Sequence, residues 1–432
     1  MLIQFTVSNY LSFHKNTTLD MFSSTYRSLK EQVYDSNSRH IPRVLKSAFL
    51  FGPNASGKSN LIKAIHYAVS VVLNNERPEQ RSAQYFKLCT SCAEEPSFFE
   101  FVMLIDKEIY RYGFKIKERE IVEEWLYMEN STGEHHVFTR TFSAQQKPNN
   151  KVTFGERYKR LEEDTFMNFI TTGTPSRGLL LSELVLRNQD DFKHVYAWFK
   201  KVVVIYPTSR AFYKEPLLKD EDFFDVYKEV MVKSDLGISE VVFEEVDPDK
   251  FLKGLSDKLE SGFVAEATGY SIAAYTDKRF FFSEKNGVRK VYSISHRRKM
   301  SDSDSLVEFK PSEESDGTNR LFDLIPIMWY VKKDSIVLVD ELDRSLHPSL
   351  SKHFINLYFG ANSEHQAQLI ATSHNTTLLD VNLIRRDSIW FVKKNFELAS
   401  VLYSLAEFNV RSDKALQRAY MSGLYGALPM LD

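Results

Sequence analysis

The sequence predicts an α/β protein, on three observations. A short apolar run, Ala48-Phe49-Leu50-Phe51, leads into a glycine-bearing loop and then into residues of helical periodicity. A second apolar run, Ile336-Val337-Leu338-Val339, ends in Asp340 and Glu341. Between them lie an alternating, aromatic-rich stretch and a charge-rich one, which read as an antiparallel β lobe and an inserted helical, coiled-coil arm. The expected division is 1–210 for a first lobe with its β-meander, 211–300 for the arm and 301–432 for a second lobe.

The first run continues as Gly52-Pro53-Asn54-Ala55-Ser56-Gly57-Lys58-Ser59: a glycine, four residues, then Gly-Lys-Ser. This is the P-loop pattern, and each residue type has a physical use in it. The two glycines let the backbone turn tightly, so that several N–H groups point at one phosphate. Lys58 reaches the β- and γ-phosphates as a point charge, and Ser59 offers its hydroxyl to Mg²⁺. Asn60 opens a helix on which Leu61, Ile65, Ala68 and Val72 share one face. Strand, loop and helix N-terminus is the context in which free amides and the helix dipole hold an anion. Residues 52–60 are therefore the expected nucleotide-binding segment, with ATP as ligand.

Bulk properties exclude some classes. With 432 residues the chain can bury a large core, and its 43% apolar and 26% charged content is ordinary for a soluble protein. A net charge of −2 gives no global basic field for nucleic acid. Met1-Leu2-Ile3-Gln4-Phe5 has neither the basic start nor the apolar core of a signal peptide, and no run approaches a membrane span. A cytoplasmic protein without membrane contact is expected. Cys89 and Cys92 are spaced C-x-x-C, as in half of a zinc site or a redox pair. A zinc site needs four ligands, there is no second C-x-x-C, and His135 and His136 could contribute only by folding back. The pair therefore reads as two free thiols.

Leu2 to Val7 alternate, Tyr10 to Phe13 follow and Thr17 to Phe22 is a further short strand, all expected at the sheet edge beside the P-loop strand. The helix after the loop should end near Asn74 to Pro78. Ser97 to Tyr127 alternates as a meander, and His136 to Phe142 returns as another strand. Leu179 to Phe199, free of glycine and proline, reads as one helix, and Val202 to Tyr206 as a buried strand stopped by Pro207. In the arm, Phe223, Phe224, Tyr227, Val230 and Met231 have helical spacing, Ile238 to Val246 could pair as a strand, and Phe251 to Leu259 is a second amphipathic segment. Ser295-His296-Arg297-Arg298-Lys299 is a compact basic cluster. It could touch nucleic-acid phosphates, or be an exposed loop balanced by Asp302 and Asp304.

The strand ending in Asp340 follows Walker B logic: its terminal carboxylate holds Mg²⁺, with Glu341 next door to orient or deprotonate the attacking water. Ser315-Asp316-Gly317-Thr318 precedes an apolar stretch, Leu321 to Tyr330, read as a helix despite Pro326. It fits either an ordinary helix cap or an anion-binding signature, and its place just ahead of Walker B favours the signature. Leu369 to His374 is a strand ending in a histidine placed as a γ-phosphate switch. Lys58 and Asp340 stand most of the chain apart, a separation typical of ABC-type ATPases of the SMC and DNA-repair kind.

The order FGPNASGKSNLIKAI, SDGTNRLFDL, SIVLVDELDRSLHPSL and ATSHNTTLLD resembles the ABC-like AAA ATPases of bacterial immunity. These include the ATPase subunits of abortive-infection systems, the PARIS system among them, and relatives of the OLD family. The tail Tyr420 to Pro429 is similar to the ending of that group. The resemblance is sharp over 1–70 and 310–430 and only patterned between. It implies that Gly52, Asn54, Gly57, Lys58 and Ser59 hold phosphate and Mg²⁺, that Asp340 holds Mg²⁺, that Glu341 is the catalytic carboxylate and that His374 is the switch. It further implies that Ser315 and Gly317 complete a neighbouring subunit's site and that Asp343 is the D-loop aspartate. The signature departs from the longer transporter form, and Gln84 is a weak match to a Q-loop glutamine.

The resemblance thus implies an ATPase whose site is complete only when two chains meet, in an ATP-linked dimer or a hexamer. OLD-type relatives carry a nuclease after the ATPase; the 58 residues beyond His374 are too few, so a nuclease effector is expected on a separate chain. The leading expectation is an anti-phage ATPase that answers a phage-encoded trigger protein and controls a toxic nuclease. The alternative is a RecF- or SMC-like DNA-binding ATPase of repair or recombination. A transport subunit is a third reading, disfavoured by the signature and the missing Q-loop.

Overall fold

In the computed structural model of the chain, the structure describes residues 1–36, 42–73, 83–143, 149–207, 222–247, 272–275, 278–285, 288–408 and 416–427. Several expected features lie outside those residues: the break at 74–78, the loop over 145–148, the segment 251–259 and the end of the tail at 428–429. The chain divides into two compact units. One comprises 1–204, 334–341 and 363–432, the other 205–333 and 342–362.

In the first unit, the run Ser47–Phe51 is buried at every position. Burial on both faces is what a parallel strand with parallel neighbours requires, and it explains why the sequence does not alternate there. Its neighbours are Gln368–Thr372 and Ile389–Lys394, both parallel to it. Ile336–Val339 lies beyond Gln368–Thr372, and the sheet order is Val202–Ile205, Ile336–Val339, Gln368–Thr372, Ser47–Phe51, Ile389–Lys394, Ser400–Ser404. The strand that leads to His374 therefore sits between the P-loop strand and the strand that ends at Asp340.

The β-meander is present, as expected, as an antiparallel sheet of seven strands. Its order is Asn150–Phe154, Gly133–Phe142, Glu120–Asn130, Glu108–Lys117, Ser97–Ile105, Leu2–Ser8, Thr17–Asp20. The two N-terminal strands belong here and not beside the P-loop strand, which corrects the expectation from sequence. Their alternation is the reason. Phe5 and Val7 are buried together with Phe99 and Phe101, and the Phe5 and Phe101 rings lie 4.8 Å apart. A one-face pattern suits this sheet and not the fully buried parallel one. Gln368, wholly buried, joins the two sheets. It accepts from the Leu2 N–H at 2.5 Å and donates to the carbonyls of Leu2 and Leu45, each at 2.9 Å.

Two expected helices are broken. Leu179 to Phe199 forms helices Leu180–Leu186 and Lys193–Phe199. Asn188 between them adopts φ 62, a left-handed conformation that asparagine tolerates. The first of these helices starts on Glu124. This fully buried carboxylate accepts from the Leu180 and Leu181 N–H groups at 2.6 and 3.0 Å and from the Tyr112 hydroxyl at 3.0 Å, with Arg140 at 3.7 Å. Likewise Leu321 to Tyr330 divides into helices Asp316–Leu324 and Ile327–Val331 at Pro326, which has no N–H to continue the ladder.

The second unit corrects the helical arm. Among the described residues of 211–300 there is one helix, Asp222–Lys233. The rest form antiparallel strands in the order Glu240–Val246, Val288–Lys299, Lys278–Lys285, Ile272–Tyr275, with Leu306–Phe309 also paired to Val288–Lys299. The charges that suggested a solvated helix pair across strands instead: Glu240 faces Arg297 in register and bonds it at 3.4 Å, and Lys290 meets Glu245 at 3.3 Å. The basic cluster is thus strand and not loop, and its cations have acidic partners. Arg298 forks onto Glu314 at 2.5 and 2.7 Å, and Lys299 pairs with Asp304.

Candidate nucleotide-binding site

Strand Ser47–Phe51 delivers the loop 52–57 to the N-terminus of helix Lys58–Leu73, whose first turn carries no acidic residue. Nothing there competes with an anion for the free amides. The helix is held by its apolar face: Leu61, Ile65, Ala68 and Val72 are all essentially inaccessible. Gly57 has φ +112, and a β-carbon there would stand 2.0 Å from Ser400 Oγ; at Gly52 one would stand 2.2 Å from the Val392 carbonyl. Side chains at these two positions would push the loop off the segments it packs against, so both must be glycine. Lys58 folds over the loop, its ammonium donating to the carbonyls of Gly52 at 2.7 Å and Pro53 at 2.9 Å. A cation curled around the loop in this way stands where phosphate charge would be met. Asn54 and Ala55 are exposed at the tip, with Ala55 at φ 61.

The acidic strand arrives at the same place. Ser59 Oγ donates to Asp340 Oδ1 at 2.9 Å, and Thr372 Oγ1 donates to the same oxygen at 2.7 Å. Thr372 in turn accepts from the Glu341 N–H at 2.7 Å. One threonine thus fixes both the buried carboxylate and the residue after it. Glu341 has φ 50, uncommon for a residue with a side chain, and turns the chain off the end of the strand. His374 follows two positions beyond Thr372 and is exposed. A hydroxyl and a carboxylate sharing a hydrogen bond at the mouth of a lysine-bearing amide cradle form a hard oxygen donor set, which fits Mg²⁺ and phosphate.

The structure therefore brings residues 52–60, Asp340, Glu341 and His374 into one unit. Ser315, Gly317 and Asp343 belong to the other unit. There Ser315 caps helix Asp316–Leu324, accepting from the Thr318 N–H at 3.1 Å, so the ordinary capping role is present. A β-carbon on Gly317 would stand 2.8 Å from the Ser345 carbonyl.

Sequence reasoning missed Thr372, Ser12 and Ser400. Thr372 sits within the stretch that drew attention to His374, and its signal was a hydroxyl directly after the apolar run Leu369-Ile370-Ala371. Ser400 Oγ donates to the Ser56 carbonyl at 2.5 Å and is bonded to Ser12 at 2.8 Å, while Asn60 donates to Ser12 at 2.8 Å. These contacts pin the loop from residues far away in sequence, which no local pattern could disclose. Beside them opens a cleft of about 270 Å³, lined among others by Leu11, Ser12, Asn60, Tyr85, Phe86 and Lys394. Gln84 lines this cleft as well.

With this geometry in place, the comparisons with known proteins decide the family. Residues 47–229 and 244–380, more than half of the chain, match the family described as "AAA domain, putative AbiEii toxin, Type IV TA system". The chain belongs to this family. An AAA-family domain implies nucleotide binding, and the chemistry of such domains is that of an ATPase. No curated protein matches. Among solved structures, a similar one is the SMC head bound to the C-winged helix domain of ScpA, at 11% identity, 94% coverage of this chain, 98% of that chain and a TM-score of 0.43. The SMC head domain from Thermotoga maritima is similar at 14% identity, with coverages of 93% and 98% and a TM-score of 0.36. The SMC head with an extended coiled coil, bound to the C-terminal domain of ScpA derived from Pyrococcus furiosus, is similar at 13% identity, with coverages of 94% and 97% and a TM-score of 0.39. Among the described residues of this AAA-family chain, no helix is long and apolar enough to cross a membrane.

Proposed function

We propose that the protein is an MgATP-driven switch: the ATPase subunit of an anti-phage, abortive-infection system that controls a separate nuclease effector in answer to a phage-encoded trigger. The observation that carries the ATPase part is the hydrogen-bonded chain Ser59–Asp340–Thr372–Glu341 at the mouth of the lysine-bearing loop. The amides of residues 52–60 and the Lys58 ammonium bind and orient the triphosphate. Ser59 and Asp340 would hold Mg²⁺, which would supply neutralisation of the phosphate charge. Glu341 accepts a proton from the attacking water as the water oxygen bonds to the γ-phosphorus and the β–γ bridge bond breaks, leaving ADP and phosphate. His374, exposed at the end of the neighbouring strand, contacts the γ-phosphate.

Ser315, Gly317 and Asp343 complete this site on a second copy of the chain, in an ATP-linked dimer or larger oligomer, within the cytoplasm. The defence assignment is supported by the toxin–antitoxin description of the family and by the motif order of the chain. The ion-paired state of residues 297–299 weighs against the DNA-repair alternative, because these cations are already engaged by Glu240, Glu314 and Asp304.

The test uses the intact chain with its native locus. Glu341→Gln should keep ATP binding, lose turnover and abolish phage protection, and Lys58→Ala should lose binding and protection together. Protection untouched by both variants would remove the proposal. Binding to DNA that falls steeply with salt would move the assignment to the repair class.

A further inference from the structure

Cys89 and Cys92, which read from sequence as two free thiols, meet a third donor in the structure. His14 lies with them, and the ligating atoms of the three residues all lie within 4.8 Å of one another. His135 and His136, weighed as ligands only if the chain folded back, lie on strand Gly133–Phe142, where His135 bonds Thr132 at 2.7 Å and His136 bonds Thr139 at 2.8 Å. We propose that His14, Cys89 and Cys92 form a zinc site that ties the segment around His14 to the segment 89–92, beside the cleft next to the P-loop.

Four observations carry this. First, the spacing suits the ion: sulfurs each about 2.3 Å from a tetrahedral zinc stand roughly 3.7 Å apart, so the cluster closes on the metal with small movements. Second, the donor chemistry is selective. Two thiolates and an imidazole are a soft set that suits zinc and not the Mg²⁺ expected at Ser59 and Asp340. Third, His14 carries the outer partner typical of a metal-binding histidine. Glu397 holds its Nδ1 at 3.0 Å, and a carboxylate on one ring nitrogen fixes the tautomer and leaves the other nitrogen for the metal.

Fourth, packing and hydrogen bonds from the surrounding chain hold the cluster. Cys92 is fully buried against Phe86 and Ala399, and the His14 ring stacks on Phe86 at 5.0 Å. Asn9, buried and left-handed at φ 48, donates to the carbonyls of Cys92 at 2.8 Å and Glu95 at 2.9 Å and accepts from the Phe86 N–H at 3.1 Å. The Asn9 N–H reaches the His14 carbonyl at 3.1 Å. Three protein donors, one of them the half-exposed Cys89, leave the fourth zinc position to water.

Placement gives the site a consequence. Phe86 both packs on Cys92 and lines the cleft beside the P-loop, so zinc would hold that wall in place. This consequence rests on the nucleotide reading; the metal site itself does not.

The experiment uses the full chain, purified untagged under reducing, chelator-free conditions. Elemental analysis should find about one zinc per chain. After stripping, titration with Co²⁺ should give thiolate charge-transfer absorption and the visible bands of a tetrahedral ion. Asp340→Asn should keep both, which separates this site from the Mg²⁺ site. Cys89→Ser, at a half-exposed position that folding tolerates, should lose the charge-transfer intensity of one thiolate. Glu397→Gln should weaken the metal by about 10- to 100-fold. A chain with no zinc above the Cys89→Ser level, no thiolate band with Co²⁺, or a Cys89–Cys92 disulfide in its place would overturn the proposal. Zinc present without any change in ATP affinity on its removal would overturn the coupling to the cleft.

Discussion

Ser59 Oγ donates to Asp340 Oδ1 at 2.9 Å across 281 positions of sequence. The oxygen that accepts this bond also accepts one from Thr372, so the buried carboxylate is aimed at the serine by a third residue. The P-loop and the acidic strand form a single site only because strand Gln368–Thr372 lies between them.

The Mg²⁺ dependence of binding follows from this aim. Thr372→Val keeps the shape and removes the hydroxyl that bonds both Asp340 and the Glu341 N–H. Calorimetric titration of ATP should show an affinity about 10-fold or more weaker with Mg²⁺ present, the usual effect of deleting an outer-shell partner, and little change with EDTA. An equal loss in both conditions would mean that Thr372 serves the fold and not the metal.

Gly57→Ala should abolish nucleotide binding. The residue needs φ +112, and its new methyl would meet Ser400 Oγ. Holding such a conformation costs about 1–3 kcal/mol, and the displaced loop no longer offers its amides. Fluorescent-nucleotide binding together with a thermal melt distinguishes local loss from global unfolding: binding should vanish while the melting temperature falls by only a few degrees.

The antiparallel lobe depends on a buried ion pair. Burial pushes the Glu124 carboxyl up, while Arg140 and the amides of Leu180 and Leu181 oppose that shift. Glu124→Ala strips Arg140 of its charge partner and should cost about 3–5 kcal/mol in denaturant unfolding. The Arg140 guanidinium keeps Asn150, Pro175 and Gly178 as partners, so Glu124→Ala should loosen the start of helix Leu180–Leu186 first. Hydrogen exchange at residues 180–181 would report this directly.

Glu314 should make the second unit acid-sensitive. Burial alone would raise its carboxyl, but the fork from Arg298 and the nearby His296 outweigh it and hold the group below the usual carboxylate range. A depressed folded value means that the stabilisation is complete above the unfolded carboxylate value and disappears as pH falls through the lower folded one. Glu314→Gln should therefore flatten the acid limb of the stability curve and cost about 1.5–3 kcal/mol at neutral pH. Because Glu314 immediately precedes Ser315, the same variant tests the proposed role of helix Asp316–Leu324 in completing a second copy's site: on that proposal, ATP turnover should fall more than ATP binding.

Local chemistry determined much of this protein. The phosphate-loop pattern of GPNASGKS is legible locally, since its glycines, lysine and following helix lie within one short stretch of chain. The unbroken apolar runs at 47–51 and 336–339 could be buried strands, and the alternating aromatic stretch could only be a one-sided sheet. Periodicity failed where the same residues satisfy two patterns. The charges of 240–299 could line a helix or pair across strands, and strand partners settle the choice. Asn188 and Pro326 broke helices that composition alone favoured, through one backbone angle and one missing N–H. Tertiary structure alone decided that Leu2–Ser8 joins the meander, that Thr372 governs both acids, and that His14 stands beside Cys89 and Cys92. Each of these depends on contacts between segments far apart in the chain, and only packing sets which distant groups share a few ångströms of space.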